Sequence, residues 1–247
     1  VTLSKLKLPD VVEPDLTQWK EFLKRHKNPK GEVTIGLVGK YVELQDSYKS
    51  ILESFIHAGA RNEVKVKVQS IHSEYIHDQH YQAKLKGLDG ILVAPGFGER
   101  GIEGKIQAVR HAREAGIPFL GICLGMQMAV IEYARNVLGL EDASSTEMDE
   151  NTANPVISLM EGQKTITNKG GTMRLGAWDC ELIADSLVQK VYGGVTEIKE
   201  RHRHRYEFNN TYKEQLANAG LIASGINSET NLVEIVELKE HPWFIGV

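Results

Sequence analysis

Between Val33 and Gly139 short apolar runs alternate with stretches of helical periodicity, and this alternation restricts the fold more than any other feature of the chain. "VTIGLVG" (33–39) is an apolar run closed by Gly39, the pattern of a buried strand. "QDSYKSILESFIHAGA" (45–60) puts Tyr48, Ile51, Leu52, Phe55 and Ile56 on one helical face, with Asp46 or Ser47 as cap and Gly59 as terminator. "VKVKVQSI" (64–71) alternates valine with polar residues, as a strand with one wetter face does. "LDGILVAPG" (88–96) and "IPFLGI" (117–122) read as strands, and "GIEGKIQAVRHAREAG" (101–116) and "LGMQMAVIEYARNVLG" (124–139) as helices. Strands that alternate with helices give a parallel sheet covered on both faces.

The second half changes rhythm. Strand-like runs at 170–183, 221–226, 231–238 and 243–247 are separated only by short helices near 185–191 and 211–219, which predicts an antiparallel extension or a small second sheet. The expected fold is therefore three-layer α/β: a mostly parallel central sheet, helices on both faces, and a smaller antiparallel part. Residues 1–32 carry Pro9, Pro14 and Pro29, a charged run and one helical patch near Leu16 to Leu23. They read as an interdomain linker ahead of a domain spanning 33–247.

Composition excludes several classes. The chain has 247 residues, 41% hydrophobic and 25% charged, with a net charge of −4. Those values suit a folded core and offer no basic field for nucleic acid or an anionic membrane. No run of about 18 apolar residues is present, so no span is expected, and the N-terminus lacks the apolar core of a signal peptide. Two cysteines make no disulfide framework, so a cytoplasmic protein with reduced thiols is expected.

Cys123 falls between a strand ending at Ile122 and a helix starting near Leu124. Gly121 and Gly125 flank it at two residues on either side. This G-x-C-x-G pattern is the cysteine form of a nucleophile elbow. The turn sets the sulfur at the carboxyl edge of the sheet and at a helix N-terminus, whose N–H groups and dipole favour thiolate. The Leu124 N–H is then available to an oxyanion. The same pattern also fits a cysteine packed inertly between strand and helix. Cys180, alternating within a strand-like run, is read as core. A second glycine-rich edge loop, "APGFGERG" (94–101), follows the preceding strand. Pro95 lacks an N–H, so the donor in that pair belongs to Gly96.

"GICLGMQ" after "PGFG" resembles the class I (triad) glutamine amidotransferases. "TIGLVGKYVELQDSYKSI", "GFGERGIEGKI", "ASSTEM", "GGTMRLG" and "ERHRHRYEFNN" are similar, more narrowly, to the glutaminase domains of CTP synthases, from about residue 33 onwards. The resemblance implies glutamine hydrolysis through a glutamyl thioester on Cys123, with Gly96 and Leu124 as oxyanion donors. Leu124, Gly125, Met126 and Gln127 match the glutamine-binding segment, Glu147 the carboxylate that holds glutamine, and Arg205 a glutamine-binding arginine. Free glutamine carries an ammonium and a carboxylate, so a site for it needs one anion and one cation at fixed spacing. Taken alone, Glu147 and Arg205 read as solvated surface charges.

The resemblance also implies an amino-terminal synthase domain in the same polypeptide, which aminates UTP to CTP with ATP and magnesium. It implies GTP as activator, with Arg100, Gly101 and Glu103 in the coupling region; Phe97 beside them reads as a ring for stacking on a base, and the glycine-rich "NKGGTMRLG" (168–176) as a lid. It implies no cofactor in this domain, and a homotetrameric parent assembled through the synthase domain, with a monomer for this piece alone. In the family a strand like "HPWFIGV" leads into Q-F-H-P-E, whose histidine and glutamate complete the triad. The sequence stops at Val247, short of that motif, and His241 does not match the missing histidine. The expectation is that the base follows Val247 in the parent and that this chain hydrolyses glutamine only slightly. Two other functions remain open: a stand-alone cysteine hydrolase, and a non-catalytic regulatory or assembly domain.

His202 and His204 lie two apart and on a strand would share a face suited to a metal. No Cys, His or carboxylate cluster nearby completes a site, so no metal is expected. In "IHSEYIHDQH" (71–80), His77 and His80 read as surface residues.

Overall fold

The computed structural model describes residues 5–7, 14–77, 79–159 and 174–247. The chain divides into two compact units. The first comprises residues up to Val33 with Lys49–Lys67, and the second Thr34–Tyr48 with Val68–Val247.

In the first unit, α1 (Thr17–Lys27) and α2 (Lys49–Arg61) meet through Phe22, whose ring stacks on Trp19 at 5.2 Å and on His57 at 4.9 Å. Gly59 was expected to end α2 but lies inside it. A Cβ there would stand 2.7 Å from the Val64 carbonyl oxygen, so the glycine serves a close approach rather than a cap. Ile56, expected on the inner face, is exposed.

A nine-stranded sheet takes its residues from the second unit, except Gly31–Val33 of its first strand and Val64–Lys67 of its second. Its strands are β1 (Gly31–Gly39), β2 (Val64–His72), β3 (Gly90–Val93), β4 (Phe119–Gly121), β7 (Arg174–Leu182), β8 (Glu197–His204), β10 (Leu221–Ile226), β11 (Val233–Leu238) and β12 (Phe244–Gly246), in the order β2-β1-β3-β4-β12-β11-β10-β7-β8. β1, β3, β4 and β12 pair in parallel. From β12 through β11, β10 and β7 to β8 the pairs are antiparallel. A three-stranded sheet joins β5 (Ser144–Ser145), β6 (Pro155–Leu159) and β9 (Tyr206–Phe208). Both an extension and a second sheet are thus present.

Phe119 and Phe244 face each other across the β4–β12 register with ring centroids 4.3 Å apart, a pair that locks the parallel and antiparallel halves together. Two helices carry the core: α4 (Ile102–Ala115), bounded by left-handed Gly101 and Gly116, and α5 (Leu124–Asn136). Every residue of α5 from Leu124 to Ala134 is buried. It touches β3, β4 and β12 of the large sheet and β6 and β9 of the small one, which explains why its sequence is apolar nearly all round. Glu132 on α5 is fully buried and takes two bonds from Arg113 of α4, at 2.8 and 2.7 Å. The remaining helices α3 (Gln79–Ala83), α6 (Leu187–Val191) and α7 (Lys213–Ala219) are short. No helix among the described residues is long and apolar enough to cross a membrane.

Replacing Arg113 by Ala strands the Glu132 carboxylate in the core. Denaturant titration should show a loss of about 3 kcal/mol, the scale expected when one partner of a buried ion pair is removed.

Candidate functional site

Cys123 sits on the turn between β4 and α5 in a backbone conformation that side chains seldom adopt, φ 53° and ψ −104°. Such a residue costs about 1–3 kcal/mol and persists only where its surroundings fix it. The two glycines of the motif show what fixes it. A Cβ on Gly125 would meet the Val93 carbonyl oxygen at 2.2 Å, and one on Gly121 would meet the Gly125 carbonyl carbon at 2.6 Å. The helix start is therefore pressed against the end of β3. The Cys123 N–H donates to the Val247 carbonyl at 2.6 Å, and Val247 N–H to the Gly121 carbonyl at 2.8 Å, so the end of β12 is stitched to the same turn.

The thiol is only partly exposed. Burial pushes it up from its ordinary value of 9.0, while the Leu124 N–H and Lys105 pull it down. The sequence argument that a helix N-terminus favours thiolate is corrected here: desolvation outweighs the amide and the cation in the resting site. Cys180 is core, 1% exposed, with its thiol pushed up to about 12, chiefly by burial.

Glu147 reaches the glycine loop by accepting the Gly98 N–H at 2.9 Å, and its charge acts on Cys123. Burial pushes the Tyr206 phenol up, with the charge of Glu147 adding to the shift and that of Arg205 opposing it. Gln127 ties α5 to β9 through its amide to the Tyr206 carbonyl, 3.2 Å. Leu124 packs under Gly96, with its Cδ2 3.5 Å from where a Cβ would stand. Glycine loop, elbow, Glu147 and β9 thus converge. A cavity of about 270 Å³ opens beside them, lined by Cys123, Met126, Gln127, Tyr206 and Glu207 among others.

The proposed effector residues stand together near the loop. Phe97 is half exposed; Arg100 pairs with Glu74 at 2.8 Å and lies over the Tyr41 ring at 5.4 Å. Gly101 begins α4 in the left-handed region, and Glu103 receives Arg135 at 3.0 Å. Of the suggested lid at 168–176, residues 168–173 lie outside the described residues. His77 and His80 are exposed.

A network absent from the sequence reading gives the cavity four of its lining residues, His202, His204, Glu207 and Glu234. Arg174 and Glu234, both almost fully buried, pair at 2.5 Å; Glu234 meets His202 at 3.3 Å, His202 meets His204 at 2.8 Å, and His204 meets Glu207 at 3.2 Å. The sequence reading found no carboxylate for the two histidines; β11 supplies Glu234, bringing three metal-type ligand atoms within 4.8 Å of one another. Glu234 is already paired with Arg174, whose guanidinium would repel a cation, so the trio reads as a string of charged and polar contacts in which His202 to His204 is the hydrogen bond. Burial, with His204 and Arg174, depresses His202 to about 4.

The class-I glutamine amidotransferase family model matches residues 43–247. CTP synthase of Christiangramia forsetii is 71% identical over 247 residues, covering 100% of this chain and 45% of the relative. That of Flavobacterium psychrophilum is 70% identical, covering 100% and 46%. The solved glutaminase domain of Trypanosoma brucei CTPS, with bound acivicin, superimposes with a TM-score of 0.80 at 38% identity, covering 87% of this chain and 84% of that one. The chain belongs to the class-I glutamine amidotransferases, as a domain of the CTP synthase type. This amidotransferase domain spans somewhat under half the length of the curated relatives.

Two measurements probe the amidotransferase site. Because burial raises the thiol, alkylation of Cys123 by iodoacetamide should still be accelerating at pH 9, as followed by peptide mapping. His202 binds a proton more weakly folded than unfolded, so stability should fall as pH drops from 6.5 towards about 4, and less so in His202→Asn. Thermal melts across that window check the sign.

Proposed function

We propose that this domain hydrolyses glutamine and that Cys123 is its nucleophile. The observation that carries this reading is the strained Cys123 turn in the lining of a cavity, beside a glycine loop that Glu147 holds through the Gly98 N–H. In this reading the Cys123 thiolate attacks the side-chain amide carbon of glutamine. The developing oxyanion is received by the N–H groups of Gly96 and Leu124. The tetrahedral species collapses, the C–N bond breaks, and ammonia leaves with a proton, giving a glutamyl thioester. Water then adds to the thioester carbonyl, the C–S bond breaks, and glutamate departs as the thiol is restored.

Glu147 and Arg205 hold the two charged ends of the free amino acid, and the 124–127 segment forms the floor. The proton-transfer base is a histidine supplied, in the family pattern, by residues that follow the β12 strand. The Cys123 N–H bond to the Val247 carbonyl supports delivery of such a group to the sulfur from that side. Ammonia released here serves a synthase domain that aminates UTP to CTP with ATP and magnesium, with residues 1–32 as the connector, 33–247 as the glutaminase, and GTP acting near Phe97, Arg100, Gly101 and Glu103. The assembly is a cytoplasmic homotetramer built through the synthase domain. The buried, well-packed elbow and the match to glutaminase domains favour this reading over a stand-alone hydrolase or a non-catalytic domain.

The deciding experiment is labelling by acivicin in the full-length polypeptide, read by intact mass and peptide mapping. A single adduct on Cys123, slowed at least tenfold by glutamine and abolished by Cys123→Ser, is expected. In Glu147→Ala or Arg205→Ala, glutamine should protect at concentrations higher by about tenfold or more. Absence of label at Cys123 in the folded protein would leave it a structural thiol.

A further inference from the structure

Two lysines are buried against the glycine loop, and the mechanism above uses neither. Lys105, in the first turn of α4, is 0% exposed, and its Nζ donates to the Ala94 carbonyl at 2.9 Å. Lys40, just past β1 and 5% exposed, donates from its Nζ to the Phe97 carbonyl. Each nitrogen reaches a backbone carbonyl of the loop instead of a carboxylate. Lysine is rarely buried this deeply, and a methionine of similar length would fill either space without desolvating an amine. The nitrogens therefore have a task besides packing.

The two acceptors bracket Pro95 and Gly96. A peptide unit is planar and rigid, so holding the Ala94 carbonyl holds the plane shared with Pro95, and holding the Phe97 carbonyl holds the plane shared with Gly98. Glu147 grips that second plane by its other edge, accepting the Gly98 N–H at 2.9 Å. The Ala94 N–H donates to the Val38 carbonyl at 2.9 Å, which ties the start of the loop to β1. The ring of Pro95 fixes its own φ. Only the two peptides around Gly96 are left to turn, and a glycine lets them swing at little cost. At that point Lys105 Nζ stands 3.5 Å, and Lys40 Cε 3.7 Å, from where a Cβ on Gly96 would be, with Leu124 Cδ2 also at 3.5 Å. Leu124 directly follows Cys123, so the same packing sets the loop against the elbow.

We propose that Lys105 and Lys40 are positioning residues for the oxyanion donor: by holding the Ala94 and Phe97 carbonyls, they fix the direction of the Gly96 N–H between them. This rests on the reading of Cys123 as nucleophile and Gly96 as oxyanion donor. The geometry asks only for an N–H donor at each place, which a lysine supplies with or without its charge. The step that benefits is attack on the glutamine amide carbon, where negative charge gathers on the carbonyl oxygen. Displacement of iodide from a saturated carbon by the same sulfur forms no oxyanion and draws nothing from the loop.

That contrast supplies the test, made in the full-length polypeptide with Lys105→Met, Lys40→Met and the donor-keeping Lys105→Arg and Lys40→Arg. Glutamine hydrolysis is followed by ammonia release, and alkylation of Cys123 by iodoacetamide at pH 9. Lys105 titrates at about 7, so its charge does not enter the alkylation rate there. Both Met variants should lose about tenfold or more in kcat, with KM within about threefold and alkylation within about twofold of the parent; the Arg variants should regain most of the kcat. Unchanged hydrolysis in the folded Met variants, or hydrolysis and alkylation falling together, overturns the proposal and leaves the lysines as core fillers. A parent that releases no ammonia overturns the glutaminase reading and this proposal with it, whereas a parent matched by its Met variants overturns the lysine role alone. Should neither Met variant fold, a crystal structure of the unmutated protein labelled by 6-diazo-5-oxonorleucine decides. Both lysine–carbonyl bonds should persist there with the Gly96 N–H directed at the adduct, and a loop released from either lysine overturns the proposal.

Discussion

Everything at the site depends on one van der Waals contact, the approach of the first turn of α5 to the end of β3. No side chain fits between Gly125 and the Val93 carbonyl, or between Gly121 and the Gly125 backbone. With the helix start seated that deeply, the residue between the glycines has no relaxed backbone conformation left to it. Its positive φ follows from packing, and packing pressure from two sheets maintains it. The strain at Cys123 is thus a property of the whole core, distributed from Phe119–Phe244 through α5 to the small sheet.

Electrostatics then decide how the sulfur behaves. Burial works against the thiolate, and a single amide and a single cation work for it. The carboxylates Glu147 and Glu207 add to the opposition. A site arranged this way rests as a thiol and becomes ionised when something supplies a base or displaces water. Sequence inspection saw only the helix terminus and so misjudged the sign, because desolvation is a three-dimensional quantity that no local pattern encodes.

The parts of the fold that were legible are those where burial imposes a period. β1, β2, α4, α5 and the runs that became β10 to β12 all advertise themselves through apolar spacing. β8 does not: "EIKERHRH" alternates charges with charges, and only its pairing with β7, Arg174 opposite His204, makes it a strand. Glu234 was hidden for a related reason, since it lies in a strand whose neighbours are valine, isoleucine and leucine, where a carboxylate reads as an outward-facing residue. Lys105 was hidden by its type rather than its position, since it falls on the apolar stripe of α4 with Ile102, Ile106 and Val109, where a lysine is not expected. In each case the polar side chain is buried by a partner distant in sequence, and only a three-dimensional arrangement reveals it.

The complete enclosure of α5 has an architectural consequence. A thiol mounted at the start of a helix clamped by two sheets is an anchor. What can shift lies at the perimeter: the glycine loop held by Lys40 and Lys105, and the turn bearing Glu147. The site resembles a vice with one fixed jaw. The other jaw carries aromatic and cationic groups in solvent, Phe97 and Arg100.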